Sequence, residues 1–470
     1  MINFLYIFLL AIWFTILFIE EKLGLSVILF IIPLLIVIYV ILEKNNRIKN
    51  KKGLILLIPI ILLSATYFIF DNLFFKILNT FVLTFLLLLL YIMTIRPTFK
   101  VGEIIADSIR ILLNPLEHFG EVTSEVANKI SAKLKLKEET KKKIKSVIII
   151  LPIIIIVLLL LSSADMIFNN IINNIFNIPR RALEKLNIGS VITRIVVTIA
   201  FFLYLSGTLH YLLTDYQFED REEELPEKKK ETGTIKLLLI TLNIIYVIFD
   251  IIQIKSLLLH SVGETISYAE YARQGFFQLM VVSLINLCVI LYTKRYNNKK
   301  DNKKIKILSM ILVVLTFIII ISSFIRMFLY EQEFGYTLLR LLVYISLFTE
   351  TICLIPTIIY IIKDKFNIVQ SYMIILITMY VIINYINIDK IIAVNNIDRY
   401  YKKKDIDLVY LMNDHADNIP ELTKFLNQVK DKDIKTELSD YLERIDFKTK
   451  DFREWNLSKT HATQYLKKIK

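Results

Sequence analysis

Ionisable and amide side chains inside long apolar runs are the residues of this chain best placed to do chemistry. A charge at the centre of a bilayer costs about 2.5–3.5 kcal/mol on insertion scales, so each one needs a partner or a task. Glu350 is the deepest, near the middle of the run Thr337 to Ile362 with Ser346, Thr349 and Cys353 about one turn away. Such a carboxyl is a candidate for proton exchange or cation binding. In the run Thr234 to Leu258, Asn243, Tyr246, Asp250 and Gln253 recur at i, i+3, i+7 and i+10, which places them on one stripe of a helix. A polar stripe faces other helices or water rather than lipid, serving either as interhelical hydrogen-bond glue or as a ligand or ion path. Arg194, Arg326 and Arg340 stand near the ends of their runs, where snorkelling accounts for them. Their shared depth with Asp250 and Arg273 also predicts a polar cavity open at that end, with Glu350 at its floor. Tyr380, Asn384 and Asn387 add a further polar stripe.

The densest cluster of functional side chains joins two apolar runs: Tyr268-Ala-Glu-Tyr-Ala-Arg-Gln-Gly-Phe-Phe277. As a helix it carries Tyr268, Tyr271, Gly275 and Gln278 on one side, and Glu270, Arg273 and Phe277 on the other. Glu270 and Arg273 at i, i+3 can pair with each other or hold an anionic or zwitterionic ligand. The tyrosines suit interfacial depth, and Gly275 permits a close helix neighbour. The stretch is therefore the mouth and lid of a cavity, or an interfacial anchor. Asp165 and the group Asp414-His-Ala-Asp417 carry carboxylates at run ends, where a loop or helix cap explains them more simply than a metal. Glycine-rich phosphate loops, HExxH and GxSxG are absent from the sequence, the five histidines are scattered, and both cysteines, Cys288 and Cys353, fall in apolar runs. No cofactor or metal is expected.

The elements that position these residues are eleven apolar runs, each long enough or nearly so to cross a hydrocarbon core of roughly 30 Å as a helix. They are Ile2–Ile19, Gly24–Leu42, Gly53–Phe70, Leu73–Ile95, Val147–Ser162, Ser190–Leu213, Thr234–Leu258, Arg273–Tyr292, Ile305–Met327, Thr337–Ile362 and Phe366–Ile388. With 55% hydrophobic residues and a mean hydropathy of +0.57, the expected class is an all-α polytopic membrane protein. The net charge of +13 does not imply nucleic acid, because alternate connections hold 29 lysines and arginines against six in the other set. Basic residues near span ends stay in the cytoplasm, so the N-terminus is expected inside and the C-terminus outside. The predicted organisation is a four-span region 1–95, a cytoplasmic amphipathic and basic connection 96–146, a seven-span core 147–388, and an exterior helical domain 389–470. In the connection, Val101, Ile104, Ile105, Ile109, Leu112 and Leu116 oppose Glu103, Asp107 and Arg110, as in a helix lying on the membrane surface or packed on span ends. Lys133 to Lys145 suits anionic headgroups or a solvated loop. Helices are expected near Ile406–Leu411, Pro420–Val429, Ile434–Ile445 and Lys459–Ile469.

The Tyr268–Phe277 run resembles the signature of a bacterial polytopic membrane family of unknown function numbered 4173. Phe249-Asp-Ile-Ile-Gln253, Ser162-Ser-Ala-Asp165, Asn396-Ile-Asp-Arg-Tyr400 and Ile406-Asp-Leu-Val-Tyr-Leu411 are similar to that family's pattern, over roughly Val147 to the C-terminus. The resemblance implies a bacterial integral membrane protein without an established activity. Some members carry the label of carotenoid-cleaving oxygenase, a chemistry that needs a histidine cluster this sequence does not display. The leading expectation is a permease-like protein of the bacterial inner membrane, contacting membrane lipids and binding a small polar, anionic or lipid-derived ligand in an outward-facing cavity. Arg194, Arg273 and Arg340 would attract the anionic group. The alternatives are a polytopic enzyme acting on a lipid-linked substrate through Asp165 and Glu270, and a non-catalytic sensor or assembly partner of a membrane or envelope protein.

Overall fold

Apolar runs in this chain become helices because a helix alone satisfies its backbone hydrogen bonds within one segment. The computed structural model describes residues 4–19, 23–96, 104–116, 118, 121–126, 128, 188–214, 232–258, 276–296, 302–363, 366–412, 415–449 and 451–469. The described residues are helical, with no strand among them. The main elements are α1 (Phe4–Phe18), α2 (Leu25–Lys44), α3 (Leu57–Ile69), α4 (Leu73–Ile95), α5 (Ile104–Leu113), α6 (Ile188–Thr214), α7 (Thr232–Leu258), α8 (Phe276–Tyr296), α9 (Asn302–Phe334), α10 (Leu338–Ile362), α11 (Ile368–Tyr385), α12 (Ile388–Lys403), α13 (Ile419–Gln428), α14 (Lys432–Arg444) and α15 (Leu457–Leu466). Among the described residues nine helices are long and apolar enough to cross a membrane; α1 is apolar but shorter. The predicted run Val147–Ser162, the basic segment Lys133–Lys145 and most of Tyr268–Phe277 lie outside the described residues.

The chain divides into two compact units. Unit 1 comprises Met1–Ile69, Leu73–Glu219 and Thr449–Leu457; unit 2 comprises Phe70–Asn72, Asp220–Lys448 and Ser458–Lys470. In unit 1, α1 and α6 pack through aromatic rings, Phe14 stacking on Phe201 at 4.2 Å between centroids, and through a 2.6 Å hydrogen bond between the hydroxyls of Thr15 and Thr198. The segment 449–457 closes on the start of α2: Leu25 donates its N–H to the Trp455 carbonyl at 3.2 Å, and a Cβ on Gly24 would meet the Glu454 carbonyl at 2.7 Å. Only glycine permits that approach. In unit 2, α7, α8, α9 and α10 share a core that includes Leu239, Leu287, Ile290, Leu312, Ile320, Leu347 and Leu354.

The amphipathic connection folds in an informative way. α5 leaves Ile109, Leu112 and Leu113 exposed while burying Asp107, whose carboxylate pairs with Arg96 just past α4 at 2.6 Å. Ile111 is fully buried as well, so α5 packs one face on the protein and presents Ile109, Leu112 and Leu113 on the other. Removing one partner of a buried ion pair leaves the other charge uncompensated, at a cost of about 3–5 kcal/mol. Asp107→Asn should accordingly lower the thermal unfolding midpoint of the detergent-solubilised protein, and Asp107→Asn combined with Arg96→Met should recover part of the loss. Equal stability of wild type and single variant would show that the pair carries no net weight.

Candidate functional site

The stripe of α7 turns inward. Asn243, Asp250 and Gln253 are buried, while Ile244, Ile245, Ile248, Ile251 and Ile252 stay exposed on the other faces. Asn243 donates to the Leu308 carbonyl of α9 at 3.0 Å, and Gln253 Oε1 accepts two bonds from the Arg326 guanidinium of α9, at 2.8 and 3.2 Å. Arg326, predicted to snorkel, is instead buried between helices, because an amide oxygen one helix away satisfies its donors. Tyr246 is half-buried on the same side, beside Asn286 of α8, which in turn donates to Thr316 of α9 at 3.0 Å.

Glu350 of α10 is 4% exposed, and its Oε2 accepts a short hydrogen bond from the Ser283 hydroxyl of α8. Its second oxygen, and both oxygens of the 3% exposed Asp250, have no hydrogen-bond partner among the described residues. Three buried carboxylate oxygens of α7 and α10 thus lack a donor among the described residues; the Asn243 and Asn286 amides donate through their nitrogens, and their oxygens likewise lack a donor there.

Arg340 caps the turn before α10 rather than entering this interior. Its guanidinium donates to the carbonyls of Phe334 (2.9 Å) and Gly335, and lies 4.3 Å from the centroid of the Tyr330 ring. With Phe276, Met327, Tyr330, Thr337 and Leu339 it lines a cavity of about 230 Å³ at the start of α8 and α10. Among the described residues, Arg340 is the one predicted cavity residue that lines this space. Arg194 is half-buried on α6 in unit 1, where its carbonyl accepts from Thr198. Tyr268, Glu270, Tyr271, Arg273 and Asp165 lie outside the described residues. A larger cleft of about 450 Å³, between α2, α3 and α4, is lined by side chains such as Leu35, Ile38, Leu57 and Leu90 and offers no comparable chemistry.

A second polar cluster escaped sequence reasoning because its members are far apart in the chain. Asp417, expected to cap a helix, does not: Asn418 holds the N-cap position of α13 without a side-chain cap bond. Asp417 is buried and accepts from the Asp71 N–H (2.6 Å), from Asn387 (3.1 Å) and from the Ser458 hydroxyl. Nearby, Asp389 accepts from Asn72 at 2.8 Å and faces His415 Nδ1 at 3.1 Å, while Lys459 lies 3.5 Å from Asp71. The helix α12 that supplies Asp389 was also unpredicted, although Ile388, Ile392, Ala393, Asn396, Ile397 and Tyr400 are buried at helical spacing and Asn387 accepts from the Lys390 N–H. Asn396 further joins α12 to the α9–α10 turn by exchanging bonds with Tyr336, N–H and carbonyl, both at 2.8 Å.

A third cluster sits in unit 1. His118 and His210, scattered in sequence, approach to 5.5 Å between ring centroids with Glu121 between them.

Comparison with known families decides the affiliation. A family model described as a domain of unknown function, DUF4153, matches residues 57–425. This chain belongs to the DUF4153 family. The match replaces the family number 4173 inferred from the central motif, and it reaches back into α3 and α4, which the motif resemblance left out. No curated protein and no solved structure matches the chain.

The cluster around Asp417 makes a pH prediction. Burial pushes its carboxyl from about 3.8 up to about 6. Burial pulls the His415 imidazole down, but the facing Asp389, with Asp71 and Asp417, holds it above its ordinary value. Both groups favour their protonated forms on folding, so their stabilisation is full at low pH and fades as pH rises through the folded values. For Asp417 that window runs from about 4 to about 6, and its span corresponds to about 3 kcal/mol. With Asp417 protonated, Asp71 and Asp389 face Lys459 and His415 one for one. Amide hydrogen exchange in α13 and α15, corrected for intrinsic rates, should be slower at pH 5 than at pH 7.5. Asp417→Asn should remove most of that difference; an unchanged pH response would assign it elsewhere.

Proposed function

We propose that this DUF4153 protein is a permease-like, multi-pass protein of a bacterial inner membrane. In this reading it passes a small polar or anionic ligand between α7, α8, α9 and α10, with Glu350 and Asp250 taking up a proton or cation during the cycle. The observation that carries the reading is the burial of these two carboxylates, three of whose oxygens face no donor among the described residues. A carboxylate in that position needs a proton or a cation to be stable in hydrocarbon. Arg340 and the cavity of about 230 Å³ beside it are the entry, sized for a ligand of a few heavy atoms rather than a drug-like one.

The topology in this proposal is eleven spans, with the N-terminus cytoplasmic and residues 389–470 exterior. Contacts in unit 1 bear on the span count. Lys49 and Asn50 donate to the Thr94 carbonyl at the end of α4, Arg47 donates to the Leu213 carbonyl at the end of α6, and Tyr204 of α6 donates to the Leu112 carbonyl of α5. The ends of α4 and α6 therefore share one side, and in this reading the further crossing between them falls to Val147–Ser162, which lies outside the described residues. The same basic-residue bias puts the Phe70–Asn72 turn, the α9–α10 turn and the region after Ile388 together on the other side. The bonds of Asn72 to Asp389 and of Tyr336 to Asn396 agree with that placement.

The test is ion flux in proteoliposomes loaded with a pH-sensitive dye, under an imposed potential, with growth of a deletion strain as the parallel readout. Glu350→Gln and Asp250→Asn keep size and hydrogen bonding and should each lower flux at least tenfold while leaving the protein folded. Wild-type flux and growth in both variants would take the carboxylates out of the mechanism.

A further inference from the structure

We infer that His118, Glu121 and His210 form a binding site for a divalent transition-metal cation, separate from the carboxylates of α7 and α10. Glu121 Oε2 lies 3.0 Å from His118 Nδ1 and 3.1 Å from His210 Nε2, and the three ligand atoms all lie within 4.8 Å of one another. Metal–nitrogen and metal–oxygen bonds of about 2.0–2.2 Å at tetrahedral angles place neighbouring ligand atoms a little over 3 Å apart. The two Glu121–imidazole spacings are already close to that value, and the two imidazole nitrogens, within 4.8 Å of each other, would close on the ion as it binds. Two imidazoles and one carboxylate are a donor set that suits zinc and its first-row neighbours, whereas magnesium and calcium take oxygen.

Two features beyond the donors mark the site as built. Glu125 Oε2 stands 4.0 Å from His210 Nδ1, the ring nitrogen left over when Nε2 binds. At that distance the two are not hydrogen-bonded, but a small side-chain movement would put the carboxylate behind the ligating ring, where it fixes the tautomer and raises the basicity. The backbone is also shaped to bring the two histidines together. A Cβ on Gly207, one turn before His210 on α6, would meet the Pro115 carbonyl at 2.6 Å, so glycine at this position lets the Asn114–Leu116 turn seat directly on α6. The Tyr204–Leu112 bond, at 3.1 Å, holds the same contact one turn earlier. His118 further stacks on the neighbouring Tyr211 at 5.7 Å between centroids. The imidazoles are 13% and 17% exposed, but the Glu121 side chain is 61% exposed, so the site opens to solvent on the carboxylate side. Three protein ligands with one open position describe a site that exchanges its ion or binds a further ligand through it, rather than a closed structural one.

The full-length protein, stripped with chelator in detergent, should bind about one equivalent of Co²⁺ per chain. It should give the intense visible absorption of a low-coordinate cobalt site, and Zn²⁺ should displace the cobalt. His118→Ala with His210→Ala should abolish that absorption, and Glu125→Gln should weaken binding about 10–100-fold. Should the double variant fail to fold, X-ray absorption of the wild-type Zn²⁺ complex decides, with two imidazole nitrogens required in the inner shell. No stoichiometric binding, binding that survives the double substitution, or an inner shell without imidazole each overturns the site.

Discussion

Hydrocarbon offers no hydrogen bonds, and this one constraint organises the molecule. Every polar side chain that enters a span must be met by another span, so α7 cannot rotate freely: its amides fix it against α9, through Leu308 at one level and Arg326 at another. Ser283 does the same between α8 and Glu350 of α10. The apolar core of these four helices fills the remaining space, but leucine against leucine specifies neither rotation nor depth. The polar contacts do, and they leave Asp250 and one oxygen of Glu350 among the groups whose needs the neighbouring side chains do not meet.

Outside the spans the rules change, and the chain uses charge where it used amides. Arg96 with Asp107, and Asp71, Asp389, His415, Asp417 and Lys459 together, are buried or half-buried ionic groups that join segments distant in sequence. Fixing distant segments in register is the task such groups perform best, since their net contribution to stability is small when all members are present and large when one is lost. Two turns between spans are tied to the C-terminal helices, Phe70–Asn72 through the Asp389 carboxylate and Gly335–Tyr336 through the Asn396 amide.

Much of this was legible in the sequence, for identifiable reasons. Span positions follow from apolar length, and the inward face of α7 follows from the spacing of Asn243, Asp250 and Gln253. The short C-terminal helices follow from their apolar periodicity to within about two residues. The sequence was silent wherever a partner came from far along the chain. Asp417 looked like a cap because its true donors, at Asp71, Asn387 and Ser458, lie in three other places. α12 was hidden because its polar composition masked a buried stripe. His118 and His210 looked unrelated because only Gly207, by admitting Pro115, makes them neighbours. Arg326 was read as snorkelling from a span end or joining a polar cavity, since a sequence cannot say that Gln253 waits beside it.

The segment 449–457, which completes unit 1 by closing on Gly24 and Leu25 at the start of α2, follows nearly all of unit 2 in the sequence. During synthesis, α1 to α6 are therefore made and inserted long before their last structural piece exists, and the ribosome must first produce nearly all of unit 2. The start of α2 must wait in the bilayer with its partner missing. Order of manufacture and order of completion run opposite to each other, so a chain halted before residue 449 would hold neither unit in finished form, and quality-control proteases would meet an unclosed α2 rather than a stable half.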